Sequence, residues 1–247
     1  MTLGKETGHA KNVSNFDKFV AEILTFGVSY KPSKGIFKIE ELSSRLNAGK
    51  AALSAVYNAE QALKSAISAR EVAFEPFNKL ITRVSYAMKA SDTAEQFDEK
   101  GLSLIRKLQG RRISPKNTQE MAVTPDPNVK EPATISSTHL SYDSRIENFD
   151  KLIKLLAGAP SYNPNETDLK VTSLTVYHND LKARNNAVNA AESTLNQARI
   201  VRNDILYKKN VGIVDLTVDI KSYLKSIYGA HSPQLHRICA IRFVNLN

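Results

Sequence analysis

Four charged side chains stand where this sequence otherwise keeps an apolar stripe: Glu60, Arg70, Glu192 and Arg202. Glu60 and Arg70 are ten residues apart, as are Glu192 and Arg202. On a helix that spacing is nearly three whole turns, so each pair shares a face but lies ~15 Å apart. Neither pair can bridge within its own helix. Each charge can meet an opposite charge on a neighbouring helix, and Glu60 with Arg202 is the natural pairing for antiparallel neighbours. Two chemistries fit: a polar pocket, or an ion pair that fixes the register of two helices. A carboxylate and a guanidinium with no nucleophile or metal ligand do not make a catalytic set, so the register pair is the expectation.

The other reactive residue types point the same way. His9, His139, His178, His231 and His236 show no i, i+4 pairing and no Cys partner at metal-ligand spacing. Asp92, Glu95, Asp98 and Glu99 fall on a helix without the Gly-centred loop that calcium needs. Dinucleotide, P-loop and nucleophile-elbow motifs are absent. Cys239 has no base beside it in sequence and reads as a small apolar residue. The expectation is a protein with no catalytic residues, no metal and no cofactor. The densest cationic run is Arg106, Lys107, Arg111, Arg112 and Lys116, at a helix end that enters a Pro-rich stretch. Such a cluster suffices for phosphate contacts. It equally suits a helix C-terminus, where cations complement the dipole. No recognition helix or Arg-aromatic interleaving accompanies it.

These residues must be positioned by long helices. From about Lys38 to Phe74 there is no proline and one glycine, Gly49. That is roughly 50 Å of helix at 1.5 Å per residue. One seam steps 4-3-4-3 through Leu42, Leu46, Gly49, Leu53, Val56, Glu60, Leu63, Ile67, Arg70 and Phe74. A second seam is all alanine: Ala48, Ala52, Ala55, Ala59, Ala62, Ala66, Ala69 and Ala73. It would let a neighbouring backbone come close. A similar helix is expected from about Leu169 to Tyr207. Shorter helices precede each, the first capped by Ser14 and the second starting near Ser141. Others follow at about 77–90, at about 93–109 with Asp92 as cap, and at about 213–228.

The two long helices belong to an internal repeat. Asn15-Phe16-Asp17-Lys18 recurs as Asn148-Phe149-Asp150-Lys151 at an offset of 133. Ser29-Tyr30-Lys31-Pro32 recurs as Ser161-Tyr162-Asn163-Pro164 at 132. At that offset Leu42 matches Leu174, Ala55-Val56 matches Ala187-Val188, Ala59-Glu60 matches Ala191-Glu192, and Arg70 matches Arg202. The expected fold is all-α: a tandem duplication of a long-helix antiparallel bundle unit, with about three helices per copy, one of them long. The expected organisation is a first repeat at 12–112, a linker at 113–140 holding Pro115, Pro125, Pro127 and Pro132, a second repeat at 141–230 and a C-terminal tail at 231–247. Ile238–Phe243 in that tail reads as a short strand or a last helical turn.

The duplicated layout, with Gly8-His9-Ala10-Lys11-Asn12 near the start and Ser-Tyr-x-Pro in each copy, resembles a bacterial family of duplicated helical proteins without known activity. That resemblance carries over no site residues. The net charge of +9 permits nucleic acid, an anionic surface or an acidic partner. One cysteine excludes an intrachain disulfide. No apolar run nears the ~20 residues that span a bilayer. Met1–Lys11 lacks the apolar core of a secretory signal, so the cytoplasm is the expected location. The functional expectation is a non-enzymatic structural or scaffolding protein that binds itself or another protein through helical faces. The alternative is a nucleic-acid-binding accessory protein that uses the basic helix end and linker.

Overall fold

A computed structural model describes residues 8–110 and 140–246. The linker prolines and Arg111, Arg112 and Lys116 lie outside the described residues. Among the described residues the chain is all-α, with no strand. Helix α1 spans His9–Leu24, α2 Ile39–Phe74, α3 Phe77–Lys89 and α4 Glu95–Gln109. Helix α5 spans Tyr142–Ala157, α6 Val171–Tyr207, α7 Ile213–Tyr228 and α8 Pro233–Ala240. Short 3-10 turns at Gly35–Phe37 and Thr167–Leu169 lead into the two long helices.

Several boundaries differ from the sequence expectation, each for a local reason. Helix α1 begins after Gly8 rather than at Ser14. Asn12 and Val13 are already buried, so the inward face starts about a turn earlier. Asp92 does not cap α4; the helix starts at Glu95 after an extended Ala94, and Thr93 Oγ1 donates to Asp98 Oδ1 at 2.6 Å. The 231–247 tail holds a true helix. Ser232 caps α8 by accepting from Leu235 N at 3.2 Å, and Pro233 opens the first turn, where its missing N–H costs nothing. The next residues, Ile241 to Leu246, form neither helix nor strand. Two other helix ends have clear local causes: Ser141 caps α5 through Ser144 N, and α4 ends at Gly110 in the left-handed conformation, φ 66°.

The chain divides into two compact units, and these do not coincide with the two repeats. One unit takes residues up to Lys64 and from Ala190 onward; the other is Ser65–Asn189. The first unit therefore joins α1 and the start of α2 to the end of α6, with α7 and α8. Its core packs Phe16, Phe19 and Ile23 of α1 with Leu42 and Leu46 of α2, Leu206 of α6, Ile213, Ile220 and Leu224 of α7, and Leu235 and Ile238 of α8. The second unit joins the end of α2, α3 and α4 to α5 and the start of α6. Its core packs Phe74, Phe77, Ile81, Val84 and Met88 with Ile105 and Leu108, Phe149, Leu152 and Leu156, and Leu174 and Leu181. Within each unit, stretches of α2 and α6 run in opposite chain directions.

The alanine seam is only half used. Ala52 and Ala59 are buried, and Ala66 and Ala73 half-buried, at steps of seven residues. Of the other series, Ala48, Ala55 and Ala62 are exposed and Ala69 is half-buried. The first series flanks the leucine seam and faces inward, whereas the second faces solvent over its first three members.

One hydrogen bond recurs at the entry to each long helix. Tyr30 Oη donates to Phe37 O at 2.7 Å, and Tyr162 Oη donates to Leu169 O at 3.0 Å, an offset of 132 in both donor and acceptor. Burial raises both phenol pKa values, Tyr162 to about 12. Tyr30→Phe or Tyr162→Phe leaves a buried carbonyl without its donor. Each should lower the urea-unfolding free energy by about 1 kcal/mol. As pH rises past the ordinary phenol value near 10, the unfolded chain loses protons that the folded chain retains. Stability should therefore fall between about pH 10 and 12, less steeply in the double Phe variant, as followed by circular dichroism.

Candidate functional site

The four charged seam residues do not converge. Glu60 pairs with Arg199 at 3.3 Å rather than with Arg202. Arg199 lies one turn earlier on the same face of α6, so the antiparallel arrangement holds with a one-turn change of register. The pair is close to half exposed and contributes little to stability. Arg202 bonds instead to the adjacent Asn203 Oδ1, through Nε at 3.1 Å and Nη2 at 2.8 Å. Glu192 is exposed.

Arg70 sits in the richer setting. Its Nη1 donates to Asn185 Oδ1 at 3.0 Å, and Asn185 Nδ2 donates to Asp143 Oδ1 at 2.7 Å. The guanidinium lies over the Tyr142 ring, 3.9 Å from its centroid. Beside it, Arg145 lies 4.6 Å from the Phe77 centroid and 5.1 Å from that of Phe74, and donates to Asn78 Oδ1 at 2.9 Å. Burial lowers the Arg145 pKa. This is a chain of cation, amide and carboxylate laid on aromatic faces. It ties α2, α3, α5 and α6 together within the second unit.

A groove of about 400 Å³ opens next to it, lined by Asp143, Asp150, Lys154, His178, Lys182 and Asn185 among others. His178 and Asn185 are buried. At the repeat offset of 132 they match Leu46 and Leu53, which pack apolar in the first unit. Polar residues thus stand at two inward positions whose counterparts at that offset are leucines. Comparing the copies position by position is the signal that finds them; charge and motif scanning does not. Acids and bases alternate around the groove, and Asp150 is already paired with Lys154 at 2.6 Å. Among the described residues no three His, Cys, Asp or Glu side chains are grouped to hold a metal ion.

The first unit has its own polar node. Tyr207 Oη lies 2.8 Å from His9 Nδ1 and accepts from Asn12 Nδ2 at 3.1 Å. Since the hydroxyl accepts from Asn12, its proton is free for the imidazole. At an offset of 133, His9 and Asn12 match Tyr142 and Arg145, which pack on Phe74; at the long-helix offset of 132 Phe74 itself corresponds to Leu206, the residue before Tyr207. The α1 and α5 positions correspond, but their contacts change from hydrogen bonds with Tyr207 to aromatic and cation–π packing on Phe74.

The cationic run is divided by what is described. Arg106 and Lys107 are exposed in the last turn of α4, where a helix C-terminus favours cations. Cys239 is exposed, not a core residue. On α8 the inward side belongs to Leu235 and Ile238, three residues apart, and Cys239 falls beyond it.

Burial, then the nearby Arg202 charge, lowers the His9 pKa from 6.5. Below pH 6.5 the unfolded chain takes up a proton that the folded site resists, so stability should fall as pH drops through that value. Thermal unfolding at pH 7.5 and pH 5 should show a smaller decline in His9→Ala than in the wild type. An identical decline would mean that the imidazole is not the acceptor in this node.

No family model, curated protein or solved structure matches the chain, which bears on family identity in neither direction.

Proposed function

We propose that this chain is a non-enzymatic scaffold, working in the cytoplasm, that offers long helical faces to a protein partner, with a second copy of itself as the first candidate. One observation carries the reading. In the first unit, the stretch of α2 from Ser54 to Lys64 and that of α6 from Ala190 to Val201 bury a single narrow stripe between them. Val56, Ala59 and Leu195 form it, with Leu63 and Ala198 at its edge. The remaining faces are mostly open to solvent and include Tyr57, 62% exposed, and Ile200, 56% exposed. Helices held by so thin a contact keep most of their surface for something else. No helix among the described residues is long and apolar enough to cross a membrane.

The repeat supports the same reading. Elements at matching offsets, the same tyrosine latch and two units that each use both copies fit a duplicated chain whose halves exchanged helices. Exchange of this kind is a route by which identical subunits associate.

Light scattering from micromolar to near-millimolar protein should show mass rising with concentration, with the rise reduced in Tyr57→Lys combined with Ile200→Lys. A strict monomer throughout, with no filaments by electron microscopy, would contradict self-association. Binding to nucleic acid that falls steeply with salt and after Arg111→Ala with Arg112→Ala would instead favour the accessory-protein reading.

A further inference from the structure

The residues after α8 are held in a groove whose polar groups address main chain rather than side chains. Asn12, only 2% exposed, aligns its amide with one residue of the passing segment. Its Nδ2 donates to Val244 O at 2.7 Å, and its Oδ1 accepts from Val244 N at 3.1 Å. A side-chain amide used this way imitates the edge of a β-strand. Asn15 Nδ2 donates to Arg242 O at 2.8 Å, and Lys221 Nζ to Ile241 O at 2.6 Å. Two side chains anchor the segment: Ile241 packs against the core of the first unit, and Phe243 meets Phe19 edge-on, centroids 5.9 Å apart, with Lys221 Nζ 5.5 Å from its centroid. Beyond these contacts the segment is thinly covered, with Val244 41% and Leu246 39% exposed.

Together Asn12 and Asn15 of α1 with Lys221 of α7 make a receptor for an extended backbone carrying one aromatic residue. We propose that the α1/α7 groove is a peptide-recognition site whose partner in trans is the Ile241–Leu246 segment of a second copy of this chain. The segment that demonstrably fits is the chain's own, and a second copy brings an identical one. Every contact made within one chain is remade between two, so the balance rests on local concentration and on strain at the joint after Ala240. This rests on the self-association proposed above and gives it a contact.

The test uses a fluorescent peptide, Ile-Arg-Phe-Val-Asn-Leu, titrated into full-length protein. Phe243→Ala loosens the resident segment, so that variant should bind the peptide about tenfold more tightly than the wild type. Adding Asn15→Ala, a half-exposed position, should weaken that binding several-fold, and the peptide with Ala for Phe should not bind. Absence of saturable binding to the Phe243→Ala chain, or binding indifferent to the peptide's Phe, would overturn the recognition site. In the Tyr57→Lys, Ile200→Lys chain, whose long-helix faces are blocked, the rise of mass that remains should be abolished by excess peptide. Assembly that persists at saturating peptide would overturn the second-copy partner, as would peptide binding by a wild-type chain that stays strictly monomeric. That last result would also contradict self-association while leaving the groove intact.

Discussion

The fold depends on a constraint of length. A continuous helix of 36 or 37 residues is too long for both its ends to be buried in one small core. Leu42 and Leu46 at the start of α2 are buried with α1 and α7, whereas Phe74 at its end is buried with α3 and α5. Helix α6 does the reverse, with Leu174 and Leu181 in the second unit and Leu206 in the first. Each core is thus closed by helices from both repeats. Neither half of the sequence supplies a complete core by itself.

Within that frame the two halves differ where chemistry is costly. The apolar anchors persist: Phe16 and Phe149, Ile23 and Leu156, Leu42 and Leu174 are all buried. The polar nodes differ. One copy supplies His9 and Asn12 to hydrogen-bond Tyr207, while the other supplies Tyr142 and Arg145 to stack around Phe74. A buried polar group must be matched by its neighbours, so such sites change as sets. Asn185, standing where the first half has Leu53, belongs to such a set with Asp143 and Arg70.

Much of this architecture was legible in the sequence. The absence of proline between Lys38 and Phe74 and the 4-3-4-3 seam locate α2 almost to the residue, and the repeat locates α6. Register was less legible. Glu60 meets Arg199 and not Arg202, because one turn of sliding leaves the hydrophobic pattern satisfied. The alanine pattern did not reveal which of its two series faces inward, since alanine fits exposed and buried positions alike. The exchange of helices between cores leaves no local signature: the same stripes would serve a repeat folded on itself. The role of Asn12 is equally illegible, for a related reason. Its role is fixed by Val244, 232 residues away, and nothing near Asn12 in sequence marks it.

The most direct test of shared cores is to cut the folded protein at a protease site inserted within residues 113–140 and to size the products without denaturant. The two fragments should migrate together, keep the helical signal of the uncut protein and separate only when unfolded. Two fragments that part on cutting, each still folded, would show that each repeat closes its own core and would contradict this account.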